Sequence, residues 1–180
     1  MQFNVTIEGT SPLIVNRFHE EAQAEATAGV HSRKEAVTPE EDARARLYLF
    51  GDKLYFPAEN LRQSVITAAG RHKIGRRSAT SDAAAALAVW PEAIPLPHEW
   101  TVDARAVVIP ATKGRLTRYR PIFREWSLSF IFEVDTELFD KGLAHRVLED
   151  AGRYVGIGDF RPQRKGPYGR FIVTSWEEAR

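Results

Sequence analysis

Two segments of the chain alternate with a strict period of two. In the first, Phe3, Val5 and Ile7 are interleaved with Gln2, Asn4 and Thr6; in the second, Trp126, Leu128, Phe130, Phe132 and Val134 are interleaved with Ser127, Ser129, Ile131 and Glu133. Successive side chains of a strand point to opposite faces, so both segments read as strands buried on one side. Gly9 and Ser11-Pro12 end the first of them. With 180 residues, 43% of them hydrophobic, the chain can bury one sizeable core and is expected to form a single domain over 1–180.

Between these strands the composition changes several times. Residues 16–38 are polar and alanine-rich (HEEAQAEATAGVHSRKEAVT at 19–38) with no sustained apolar face, which predicts an exposed or flexible insertion. Thr38-Pro39-Glu40-Glu41 has the form of an N-cap, a proline at the first helical position and early acids, opening a short helix through Ala43 to Leu49. Lys53 to Phe56 predicts a brief strand, and Pro57 a helix with Leu61, Val65, Ala68 and Ala69 at helical spacing. Ser81-Asp82 opens a further predicted helix through AAAALAVW, and Pro91, Pro95 and Pro97 force an extended connection.

Ala106 to Ile109 is β-rich, and with the turn-like TKGR it predicts a long hairpin with Trp126–Val134. Asp135-Thr136 caps a predicted last helix carrying Leu138, Leu143, Val147, Leu148 and Ala151, ended by Gly152; Phe171–Val173 is the final strand. Without the insertions the order is strand, helix, strand, strand, helix, strand. That order predicts an α+β, ferredoxin-like (RRM-like) βαββαβ core, with an inserted arm after the first strand and a Gly-rich loop before the last.

The net charge of +1 gives no bulk argument for a polyanionic partner. Its distribution is more informative. No acid lies between Asn60 and Ser81 or between Ala104 and Arg124, and these windows hold Arg62, Arg71, Lys73, Arg76 and Arg77, then Arg105, Lys113, Arg115, Arg118, Arg120 and Arg124. Folding that brings them to one side would create a basic face. The absence of cysteine excludes a disulfide framework, thiolate zinc sites and a cysteine nucleophile. With no apolar run of membrane-spanning length and no signal-like start, the expectation is a soluble, cytoplasmic protein without a membrane partner.

The segment from Gly152 to Phe171 reads GRYVGIGDFRPQRKGPYGRF. Glycines allow close approach of backbone to phosphate, their amides can form an anion-binding nest, and guanidinium groups fork onto phosphate oxygens. Tyr154, Phe160 and Tyr168 can stack on bases. The competing reading is a mobile loop with solvated charges. No GxxxxGK[ST] or GxGxxG motif is present, and no cofactor is expected.

The five histidines (His19, His31, His72, His98, His145) are scattered, with no HExxH, so no metal site is expected. His72, inside RHKIGRR, is the one weak candidate for a base in metal-independent RNA cleavage, against the plainer role of a phosphate contact. Trp90, Trp100, Trp126 and Trp176 are expected in core packing.

Three features in order along these elements resemble the RAMP superfamily, the ferredoxin-like proteins of CRISPR effector systems that form crRNA-binding backbones or process crRNA. They are IEGTSPLIV after the opening strand, LYFPAENLRQSVITAAGR around the proline-led helix, and the terminal GIGDFRPQRKGPYGRFIV. Together they cover about a third of the chain; the helix departs from the family in carrying Ala58-Glu59-Asn60 where a small Gly-Ser run is usual.

The resemblance extends to stand-alone or phage-encoded relatives. It implies a protein that holds single-stranded RNA such as a crRNA-like guide, with subunits assembling in a row as a homo-oligomer or multi-subunit ribonucleoprotein, and an arm at 16–38. It also implies that Gly156, Gly158, Arg161, Arg164, Lys165 and Arg170 of the loop, with Arg62 and Arg71 of the first helix, meet the nucleic-acid backbone. Some relatives cleave with an acid of the inserted loop, a role for which Glu35 or Asp42 would be the equivalents. Arg115, Arg118 and Arg120 join the candidates on the charge reading alone.

The expectation is therefore a non-catalytic binder of single-stranded RNA or single-stranded DNA. Its rivals are a metal-independent endoribonuclease and a module gripping an acidic protein.

Overall fold

A computed structural model describes residues 1–17, 38–108 and 115–179, with the side chains of 107, 108, 115 and 116 left aside. The arm expected at 16–38 lies almost wholly outside the described residues, as do His19, His31, Glu35 and Lys113. Strand β1 spans Gln2–Gly9 and β2 Leu13–Ile14; helix α1 is Pro39–Arg44; β3 is Leu49–Phe50 and β4 Lys53–Pro57; helix α2 is Ala58–Ala69. Then come β5 (Lys73–Ile74), β6 (Arg77–Ser78), α3 (Thr80–Ala86), β7 (Leu87–Trp90), β8 (Ala93–Pro95), β9 (Thr101–Val108) and β10 (Arg115–Phe123). β11 (Ser127–Val134), α4 (Lys141–Asp150), a π-helical turn (Ala151–Val155), a 3-10 turn (Pro162–Arg164) and β12 (Phe171–Glu178) complete the order.

The principal sheet has the order β12-β1-β11-β7, every neighbour antiparallel. Taking β1, α2, β7, β11, α4 and β12 as the successive elements, this is a βαββαβ unit with strand order 4-1-3-2, the α+β ferredoxin-like arrangement. The period-two reading of β1 and β11 holds: Phe3, Val5, Ile7, Leu128, Phe130, Phe132 and Val134 are buried. Leu61, Val65 and Ala68 of α2 and Ala144, Val147 and Leu148 of α4 belong to the same core cluster. Each large side chain so buried contributes about 1.5–3 kcal/mol. Among the described residues no helix is long and apolar enough to cross a membrane.

Several elements differ from their sequence reading. The short helix opened by Thr38 stops at Arg44, and Leu49 lies in β3. The helix expected through AAAALAVW stops at Ala86, and Leu87–Trp90 becomes the second core strand, with Leu87 opposite Val134 and Val89 opposite Phe132. Alanine favours the helix, but Leu87 and Val89 bury more surface as an alternating strand against β11, and Pro91 bars helix beyond. The segment beginning at Ala106 consequently is not the partner of Trp126–Val134. It lies in β9, which pairs with β10 in a separate sheet of order β2-β10-β9. The last helix starts later than Asp135-Thr136: Asp140 is its N-cap, accepting from the Leu143 N–H at 2.8 Å, while Asp135 organises the preceding turn.

Gly152 does not end that helix. It sits within the π-helical turn against β12, where a Cβ would overlap the Phe171 carbonyl. Trp126 is buried and donates its indole N–H to the Ser11 carbonyl at 2.8 Å, and Trp176 stacks on Phe3 at 4.7 Å. Trp90 departs from the expected core role and is 44% exposed on the edge strand.

Candidate nucleic-acid interface

The Gly-rich loop is tied down from within. Gly156 ends the π-helical turn at φ 72°, and its carbonyl accepts the hydroxyl of Ser64, a buried residue of α2, at 2.8 Å. Ile157 N–H donates to Gly169 O at 2.9 Å, Gly169 N–H to Pro12 O at 2.8 Å, and Asp159 N–H to Ile14 O at 2.7 Å. Gly158 has φ 74°, and a Cβ there would collide with the backbone of Ile14 and the side chain of Leu13. Only glycine meets both demands, the left-handed backbone and the close approach. These bonds tie the loop backbone to β2 and α2.

A second set of contacts joins the loop to the β9–β10 hairpin. Arg120 is buried, 4% exposed, with Nη1 2.6 Å from Asp159 Oδ2, Nη2 3.8 Å from Asp103, and its guanidinium 4.6 Å from the Phe160 ring centroid. Arg105 forks onto Asp103 (Nε to Oδ1 2.9 Å and to Oδ2 2.8 Å), donates to the Tyr168 hydroxyl and lies 4.7 Å over the Tyr168 ring. The hydrogen bond that Arg105 donates to Asp103 holds the Arg105 pKa above its ordinary value against the opposing effect of burial. Phe160 and Tyr168 are thus occupied by arginine faces.

Of the residues expected at the interface, Arg120 is corrected by this geometry: its guanidinium is a buried strut between hairpin and loop, spent on Asp159 and Phe160. Arg62 is also engaged, donating to the carbonyls of Leu87 and Ala84 at the C-terminal end of α3, with Glu59 3.7 Å away. A cation there complements the unsatisfied carbonyls and the negative end of the helix dipole. Arg161 is half-buried, donating to Gly158 O at 2.9 Å and Gln163 Oε1 at 3.0 Å; burial first, then Arg164, lowers its pKa from the ordinary value. Arg118 stands opposite Arg105 on the hairpin, and Arg115 opposite Val108 at its far end.

The remaining cations are presented to solvent. Arg164 and Lys165, at the 3-10 turn and the left-handed residue after it, are exposed, as is Arg170. Arg170 donates to the Arg153 carbonyl at 2.9 Å, and exposed Arg71, just beyond α2, lies 4.0 Å over the Tyr154 ring. A basic path therefore runs from Arg71 by way of Tyr154 and Arg153 to Arg170, with Arg164 and Lys165 on the same loop.

Beside the loop opens a cleft of about 420 Å³, lined by Asn60, Gln63, Ser64 and Thr67 of α2, by Asn16 and Tyr48, and by Gly158, Arg161 and Gln163 of the loop. Apart from Gly158 and Arg161 these residues are absent from the sequence-derived candidates. The available signal was the recurrence of uncharged polar residues at 60, 63, 64 and 67, at helical spacing along α2.

His72 Nε2 is 2.9 Å from Asp150 Oδ2, both half-buried, which ties the end of α2 to the end of α4. Among the described residues no three His, Cys, Asp or Glu side chains are grouped so as to hold a metal. The outward face of the principal sheet carries Gln2, Asn4, Thr6 and Glu8 of β1 with Ser129 and Glu133 of β11, and its four strands contain no lysine or arginine. The exposed cations named above belong to the helices and loops.

No family model matches the chain, and no curated protein matches it. Among solved structures, it is similar to a chain in the cryo-EM structure of the Type III-B Cmr-beta bound to cognate target RNA, with a TM-score of 0.47 and 10% sequence identity. The match covers 98% of this chain and 60% of that one. The fold assignment rests on the strand order and register given above.

Proposed function

We propose that this chain is a non-catalytic binder of single-stranded nucleic acid, RNA ahead of DNA, whose backbone follows the exposed cations of the Gly-rich loop. The observation that carries this reading is an internally tethered loop that keeps Arg164, Lys165 and Arg170 exposed. A tethered loop loses little further entropy on binding, and exposed cations release counterions from phosphates. Arg71, Arg153 and Tyr154 extend the same track, with Arg71 already in place over an aromatic ring. The RAMP-like order of sequence features supports a subunit that lines up with further copies or other subunits along a crRNA-like guide.

Labelled single-stranded RNA incubated with EDTA-treated protein tests the reading. Intact, retarded RNA is expected, with log affinity falling against log salt by about 0.7 per neutralised charge. No binding at low salt would overturn it. Discrete cleavage lost in His72→Ala would replace it with the endoribonuclease reading, for which the His72–Asp150 pair is the relevant geometry.

A further inference from the structure

The three aromatic rings of the Gly-rich segment have different surroundings. Phe160 and Tyr168 are half-buried and lie under guanidinium groups, Arg120 at 4.6 Å and Arg105 at 4.7 Å. Tyr154 is 43% exposed. It belongs to the π-helical turn, whose Ala151 and Val155 are buried, so the turn is fixed to the core while this ring stands in solvent. Arg71 covers one face of the ring at 4.0 Å, and Arg153, 5.9 Å from the centroid, is at the outer limit of a cation–π contact. The exposure that remains therefore lies on the opposite face and at the hydroxyl edge. A base settling on that face would complete a stack of base, ring and guanidinium.

The plainer role for the Arg71–Tyr154 pair is a tie between α2 and the turn, but that joint is already closed. His72, next to Arg71, meets Asp150 at the end of α4 at 2.9 Å. Arg170 Nη1 donates to the Arg153 carbonyl at 2.9 Å and fixes the turn from its other side.

Beyond Arg71 the chain reverses through the β5–β6 hairpin, with Lys73 opposite Ser78 and Ile74 opposite Arg77. The Ala79 N–H donates to the His72 carbonyl at 3.0 Å and closes the hairpin at its base. Its turn projects into open space: a Cβ added to Gly75 would meet nothing within 4 Å. Lys73 and Arg76 are exposed, whereas Arg77 is engaged by Asp82 at 3.3 Å. The hairpin thus sets two cations in water within a few residues of the Arg71–Tyr154 pair.

We infer that Tyr154 is a stacking platform for one unpaired base of the bound strand, and that Lys73 and Arg76 hold the phosphates beside it. Every base has a π-face, so the platform grips a strand without selecting its sequence. The inference rests on the RNA-binding reading above and adds to it a base contact and a second contact element, the β5–β6 hairpin.

Two nine-unit strands of equal charge, the RNA (AC)4A and its fully abasic ribose-phosphate counterpart, measured by fluorescence anisotropy across a salt series, separate stacking from phosphate contact. Tyr154→Ala is expected to weaken RNA binding about 5- to 10-fold, at the lower end of what one stacked base gives, and to leave the abasic strand within about twofold. Tyr154→Phe keeps the ring and should bind the RNA within about twofold of wild type. Lys73→Ala with Arg76→Ala should weaken both strands alike and lower the salt slope by about 1.4. Loss of both strands equally or of neither in Tyr154→Ala, a Tyr154→Phe variant as weak as Tyr154→Ala, or an unchanged slope in the hairpin variant overturns the inference and leaves RNA binding by the Gly-rich loop standing. Absence of wild-type binding to the RNA overturns both.

Discussion

The side of the Gly-rich loop turned toward the β9–β10 hairpin and the side turned to solvent both carry cations, and the two sets serve different ends. On the inner side Arg120 and Arg105 are matched to Asp159 and Asp103 and faced with Phe160 and Tyr168. On the outer side Arg164, Lys165 and Arg170 carry their charge in water. A guanidinium taken out of water must be paired or its desolvation destabilises the fold, whereas an exposed one stabilises little and stays available to a phosphate. The inner set holds the shape on which the outer set is displayed.

The largest effect expected from breaking this division is on stability. Arg120→Ala leaves Asp159 without its cation and Phe160 without its cover, at a cost of about 3 kcal/mol. Thermal unfolding should fall by roughly 6–12 °C for a chain of this size. A melting temperature unchanged by the substitution would remove the strut from the account.

Next comes Arg164→Ala/Lys165→Ala/Arg170→Ala. RNA affinity should fall on the order of 10-fold and the salt slope by about 2, with the melting temperature nearly unmoved. Replacing Glu8, Glu133 and Glu177 by alanine on the outward sheet face should leave the salt slope unaltered. If the glutamate variant moved that slope more than the cation variant, the binding side would be wrongly assigned.

A smaller change is expected for Arg62→Ala. It loses the cap on the end of α3, about 1 kcal/mol seen as a lower denaturation midpoint, with little loss of RNA affinity. A loss of affinity with no loss of stability would return Arg62 to the interface.

The smallest effect concerns α1. Glu41 accepts from the Thr38 N–H and hydroxyl, and the backbone bond, then the side-chain bond, lowers its pKa from the ordinary value. Its contribution to stability is complete above the unfolded-state pKa and is lost as pH falls through the depressed folded value. The melting-temperature difference between wild type and Glu41→Gln should therefore shrink on acidification. A difference that grew instead would break the capping assignment.

Much of the scaffold was legible locally. The alternation of Phe3, Val5 and Ile7 and of Leu128 to Val134, the Thr38 N-cap with Pro39 and the apolar spacing of α2 are properties of neighbouring residues, and all recur in the structure. The identity of the second core strand was not legible, because Leu87–Trp90 follows a run of helix-favouring alanines and gains its extended form from β11, more than forty residues on. For the same reason the hairpin partner of β9 was misread.

By itself, then, the sequence determined the α+β class, the element order around β1 and α2, and the concentration of glycine and arginine between the last helix and the last strand. Which arginines are paired inside the fold and which are left exposed was decided only by tertiary structure. Arg120 meets Asp159 across 39 residues and Arg105 meets Tyr168 across 63. An ion pair acts over a few ångströms, so charge pattern along the chain cannot distinguish a buried strut from an exposed contact. The cleft has the same origin: Asn60, Gln63 and Gln163 share a lining because the loop is drawn against α2 by the Ser64–Gly156 hydrogen bond, a contact between residues 92 apart.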